Sequence, residues 1–78
     1  MDKVEEFMLN QRPLLKEVAS ALSRQRIKTR VTTEAIFLNL DDHERPMFQK
    51  LVQSCREEKL KLAKMIDLLE EIKRIDEV

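Results

Sequence analysis

Residues Pro46 to Asp76 read PMFQKLVQSCREEKLKLAKMIDLLEEIKRID, a stretch with no glycine and no second proline. Apolar residues recur there at helical spacing among dense charge, which predicts one long amphipathic helix over about 45–76. Heptads written from Phe48 place Phe48, Cys55, Leu62 and Leu69 at a, and Leu51, Glu58, Met65 and Ile72 at d, a coiled-coil register with one charged interruption. At about 1.5 Å rise per residue such a helix measures roughly 46 Å. The stripe is thin around Glu58, between Lys59 and Lys61, and widens beyond Leu62, where Met65, Ile66, Leu68, Leu69, Ile72 and Ile75 exceed a two-residue seam. A stripe that broad buries against more than one helix. The rest of the chain is too short to cover it all, so the expected partner interface is Leu51, Val52, Leu62, Met65, Ile66, Leu69 and Ile72. The competing architecture is a closed monomer of three helices, in which a short middle helix covers what the first leaves bare.

Upstream, Asp2 and Glu5 have the spacing of a capping box, so a first helix is expected over about 3–25. Val4, Phe7, Met8, Leu14, Leu15, Val18, Ala19 and Leu22 lie on one face of it. Pro13 removes an interior hydrogen bond, so the helix either kinks there or restarts with Asn10 as cap and Pro13 in its first turn. Ile27, Thr29, Val31 and Thr33 alternate with polar residues, but a lone strand has nothing to pair with, and 26–32 is expected to be an extended connector. Thr32 or Thr33 then caps a short helix over about 33–41 carrying Ala35, Ile36, Phe37 and Leu40. Residues 10–19 align weakly with 43–52, each reading as a polar entry, Arg-Pro and apolar pairs; two helices beginning at a proline suffice to explain it.

With 78 residues there is room for one domain, 1–78, and chains of this size commonly gain support from disulfides, a metal or another subunit. The single cysteine, Cys55, excludes an internal disulfide and a cysteine-based zinc cluster. Oligomerisation is the remaining support. Fifteen Lys and Arg balance 15 Asp and Glu, so no global field draws the chain to nucleic acid or anionic lipid. No stretch has the roughly 20 apolar residues of a membrane span. The opening Met1-Asp2-Lys3-Val4-Glu5-Glu6 is too acidic for a secretory signal, which points to an intracellular setting, cytoplasmic ahead of nuclear.

Few residues invite chemistry. Asp41, Asp42, His43 and Glu44 could ligate a divalent ion, but consecutive polar residues point in different directions and serve as caps. Cys55 sits at an apolar heptad position beside Leu51, Val52 and Leu62, where a thiol is a small hydrophobe. Glu57-Glu58 and Glu70-Glu71 read as solvated helix faces, and without glycine there is no phosphate-cradling loop. The sharpest local signal is Arg24, Arg26, Lys28 and Arg30, four cations with no acid among them, as candidate phosphate contacts. Cations at a helix end also complement its dipole, and Glu34, Asp41, Asp42 and Glu44 are candidate ion-pair partners.

The run Arg30-Val31-Thr32-Thr33-Glu34-Ala35 resembles the loop-to-helix junction of histone folds, but the long central helix of that family would pass through Pro46, so membership is not assigned. Asp76-Glu77-Val78 resembles an acidic PDZ-binding tail. The chain is therefore expected to be all-α, a small bundle of two to three helices with a coiled-coil-like C-terminal helix. Its expected role is a non-enzymatic interaction module, a dimeric or complex-forming adaptor or regulatory subunit whose partner is a protein, self or heterologous. No catalytic residue, metal, cofactor, small-molecule substrate or membrane enters that expectation. The alternative is a nucleic-acid-binding regulator, dimerised by the C-terminal helix and using the Arg24–Arg30 cluster.

Overall fold

The left-handed backbone of Lys59, at φ 56°, divides the C-terminal segment in two. The computed structural model describes residues 2–76 and contains α1 (Lys3–Arg24), α2 (Thr33–Asn39), α3 (Arg45–Glu57) and α4 (Leu62–Asp76). Four helices thus replace the expected two to three, and the single coiled-coil-like helix over 45–76 is corrected to two helices, α3 and α4, separated by a turn. The molecule is 34 Å along its longest axis, shorter than the straight helix would have required. Glu77 and Val78 of the PDZ-like tripeptide lie outside the described residues. Among those described, no helix is long and apolar enough to cross a membrane.

The break has a local cause. Lys59 N–H donates to the Arg56 carbonyl at 3.0 Å, and Leu60 N–H to the Cys55 carbonyl at 2.9 Å, which is the Schellman arrangement with lysine where glycine is usual. Leu60 then packs on the core as the hydrophobic contact that accompanies this motif. A straight helix would have carried Glu58 into the apolar seam at a d position; the turn leaves it exposed. α1 ends the same way: Arg26 has φ 56°, its N–H donates to the Ser23 carbonyl at 3.1 Å, and Ile27 N–H donates to the Leu22 carbonyl at 2.9 Å. Both left-handed residues are cations at helix C-termini, where positive charge complements the exposed carbonyls.

Helix starts follow side-chain chemistry. Asp2 Oδ1 accepts from Glu5 N–H at 2.9 Å, and Thr32 Oγ1 accepts from Ala35 N–H at 3.1 Å. α3 carries Pro46 in its first turn, where the absent N–H costs little. Pro13 lies inside α1, which continues through it without a restart, and the proline and Leu9, whose carbonyl it cannot serve, both face solvent. The similar stretches 10–19 and 43–52 therefore occupy unlike places, one within a helix and the other at a helix start.

α1 packs chiefly on α4 and also on α3; α3 in turn contacts α4 and α2. The core draws Phe7, Leu15, Val18 and Leu22 from α1, Ile27 from the connector, Ile36 and Leu40 from α2 and its end, and Phe48 and Leu51 from α3, with Met65, Leu69 and Ile72 from α4. Each such side chain contributes about 1.5–3 kcal/mol by leaving water.

The αL conformation costs a side-chain-bearing residue about 1–2 kcal/mol, part of which glycine returns through its freer unfolded state. Lys59→Gly is expected to stabilise the fold by up to about 1 kcal/mol, and Lys59→Val, with a β-branched side chain at positive φ, to destabilise it by at least as much. Urea midpoints at constant m-value check both; a stabilising Lys59→Val would contradict the assigned turn.

Candidate functional site

The sequence-predicted interface lies inside the molecule. Leu51, Met65 and Leu69 are completely enclosed, Ile66 and Ile72 are buried, and Val52 and Leu62 are partly buried against the same core. Five of the seven are covered by the chain's own helices, because the turn at Lys59 lets α1 and α3 share the broad stripe, and only Val52 and Leu62 keep partial exposure.

The basic cluster is also partly occupied. Arg24 Nη2 donates to Glu44 Oε2 at 3.0 Å. Arg30 Nε meets Glu70 Oε2 at 3.1 Å and its Nη2 meets Asp67 Oδ1 at 3.2 Å, partners on α4 far from it in sequence. Thr29, itself buried, donates its hydroxyl to Glu70 Oε1 at 2.8 Å. The connector is thereby fastened to α4 through two carboxylates, with Glu70 taking both Thr29 and Arg30. Arg26 and Lys28 remain exposed, the former committed by its backbone to the α1 turn. Arg24 and Arg30 thus have acidic partners within the chain while their own side chains stay 62 % and 71 % exposed.

Among Asp41, Asp42, His43 and Glu44, three side chains hold structure. Glu44 is 5 % exposed and accepts from Arg24, from Gln25 Nε2 at 3.2 Å and from Asp41 N–H at 3.1 Å. Gln25 also donates to Asp41 Oδ2 at 2.8 Å, and Asp42 Oδ1 accepts from Arg45 at 2.7 Å. These bonds lock the α1 C-terminus to the α3 entry. Burial alone would raise the Glu44 carboxyl pKa; the bonds from Asp41, Arg24 and Gln25, with the Arg24 charge, outweigh it and hold the value below the ordinary 4.5. His43 stays exposed. Among the described residues no group of three or more His, Cys, Asp or Glu side chains is arranged to hold a metal ion.

Cys55 is fully buried, and its Sγ donates to the Leu60 carbonyl at 3.0 Å while its own carbonyl accepts from Leu60 N–H. The thiol thus closes the α3 end from the side-chain direction as well. Burial raises its pKa above the ordinary 9.0, against the opposing pull of Arg56. A thiol so placed is a poor nucleophile.

Two of the shallow surface grooves carry several apolar side chains. One, between α2 and α3, is lined by Phe37, Phe48 and Val52 among polar residues, but Arg45 covers Phe37 from 5.6 Å and bonds its carbonyl at 3.1 Å. The other follows the α1–α4 edge and is lined by Val4, Glu5, Met8, Leu9, Leu68 and Glu71. Leu68 forms its floor, Leu9 is 62 % exposed on one wall, and Ile75, one turn beyond Glu71, is 57 % exposed. Sequence reasoning passes over this edge because Leu9 lies off the core stripe of α1. That displacement is the available signal, since an apolar residue out of phase with its helix points away from the core.

The Glu44 network contributes stability that is complete above the ordinary carboxyl pKa and fades as pH falls through the lower folded value. Glu44→Gln is expected to lower stability at pH 7 by about 1 kcal/mol or somewhat more, the Arg24 share being screened, with the gap to wild type closing in acid. Denaturant titrations at pH 7 and pH 3 check this. Native Cys55 is expected to react with a thiol reagent far more slowly than the same chain in denaturant; equal rates would contradict its burial. No family model, curated protein or solved structure matches the chain, so its role is argued from these surfaces.

Proposed function

We propose that this chain is a non-enzymatic protein–protein interaction module, dimeric or complex-forming, that acts by helix-on-helix packing as a small adaptor or regulatory subunit. The observation that carries the proposal is the α1–α4 edge, where Leu9, Ile75, Val4 and Met8 present apolar surface to solvent over the Leu68 floor. A groove between two packed helices is the place where a third helix adds to a bundle, its side chains entering between the ridges of both. Methionine at such a surface adapts its shape to what it meets. The nucleic-acid alternative has less support, since Arg24 and Arg30 are held by Glu44, Asp67 and Glu70 and the total charge is zero.

The proposal is tested on the intact chain by light scattering at micromolar concentration, together with a photo-crosslinker placed at position 9 or, for comparison, at exposed position 50 on α3, in cells expressing the protein. The expected outcome is a mass above the 9.3 kDa of one chain, or a discrete adduct from position 9 that position 50 does not give. A monomer with no adduct specific to position 9 overturns it.

A further inference from the structure

The α1–α4 groove is apolar at its floor and presents hydrogen-bond acceptors along its sides. Glu5 and Glu71 are exposed carboxylates, one on each helix, and among the described residues no cation lines the groove between them. Carboxylates accept and cannot donate, so the groove's sides ask for donors with positive charge.

From this complementarity we infer that the groove docks an amphipathic helix of a different protein, whose apolar residues at i, i+3 or i+4 and i+7 meet Met8, Leu9 and Leu68 and whose flanking lysines or arginines meet Glu5 and Glu71. The inference rests on the α1–α4 edge being the contact surface proposed above and names what occupies it. A second copy of this chain fits less well: a two-fold contact apposes the same patch to itself and brings the four rim carboxylates of two copies together. The same carboxylates repel an anionic lipid surface, which leaves a basic helix as the complementary occupant.

The test is selection from a displayed library of amphipathic helices with a fixed leucine stripe and flanking positions drawn from lysine, glutamate and glutamine, using the full chain as bait. Lysine-enriched binders are expected. Their affinity should fall on Leu9→Asp, fall with added salt, and fall roughly twofold to fivefold for each carboxylate reversed in Glu5→Lys or Glu71→Lys, the factor of an exposed ion pair. Selection on the Glu5→Lys, Glu71→Lys double variant should enrich glutamate instead. Glu5→Lys also removes a favourable charge from the first turn of α1, so Glu71→Lys, remote from any helix start, serves alone if the double variant loses helicity. Binders without charge preference that still require Leu9 overturn the inference while leaving the interaction module intact. So does a wild-type dimer that Leu9→Asp dissociates. No binders at all, or binders indifferent to Leu9→Asp, overturn the inference, and the crosslinking experiment then decides independently whether the edge contacts any protein.

Discussion

One left-handed residue makes the core possible. If Lys59 kept helical geometry, the apolar stripe from Phe48 to Ile72 would run along a single rod, and α1 could reach only part of it. The reversal at Glu58–Lys61 brings α4 beside α1 and α3, so that Leu51 and Leu69 share one interior. Two backbone hydrogen bonds and the Cys55 thiol close that turn. Their net contribution is about 1 kcal/mol each, small beside the burial they permit. The turn does not stabilise the fold by its own contacts so much as by making the apolar contacts geometrically available.

The remaining segments are placed by charge. Glu44 ties the end of α1 to the start of α3, and Glu70 collects Thr29 and Arg30 so that the connector lies on α4. Neither carboxylate is left with a lone pair facing an apolar wall: among the described residues no buried side-chain nitrogen or oxygen lacks a hydrogen-bond partner. In a chain so rich in charge this is a demanding condition, since each buried polar group without a partner costs several times what a bond returns.

What the sequence disclosed follows from where its signals are chemical. Asp2 and Thr32 announce helix starts because a side-chain oxygen is needed there, and both residue types are distinctive. Helix ends are announced mainly by glycine, and this chain has none, so Arg26 and Lys59 turn left-handed behind unremarkable side chains. α4 begins without a capping signal either, after Lys59-Leu60-Lys61. The all-helical class was therefore legible, and the number of helices was not. The breadth of the C-terminal stripe was also legible, but not whether its cover came from this chain or another. Glu58 at a d position held the answer, as a charge that a continuous seam could not bury. For the candidate site the cations of 24–30 were visible and their partners were only half visible: Glu44 is near Arg24 in the order of elements, whereas Asp67 and Glu70 lie across the fold from Arg30. The exposed edge went unseen because Val4, Met8, Leu68 and Ile75 follow the core periodicity and only Leu9 departs from it.

α1 finds its principal partner in α4, the helix made last among those described. During synthesis the face bearing Phe7, Leu15, Val18 and Leu22 therefore emerges well before the surface that will shield it. α3, made before α4, supplies the lesser part of that cover. Until α4 has been made, that face lacks its principal cover, the situation in which holding factors and early degradation act. Pairing α1 with α4 makes the interior depend on segments far apart in sequence meeting, so that it closes as one cooperative unit.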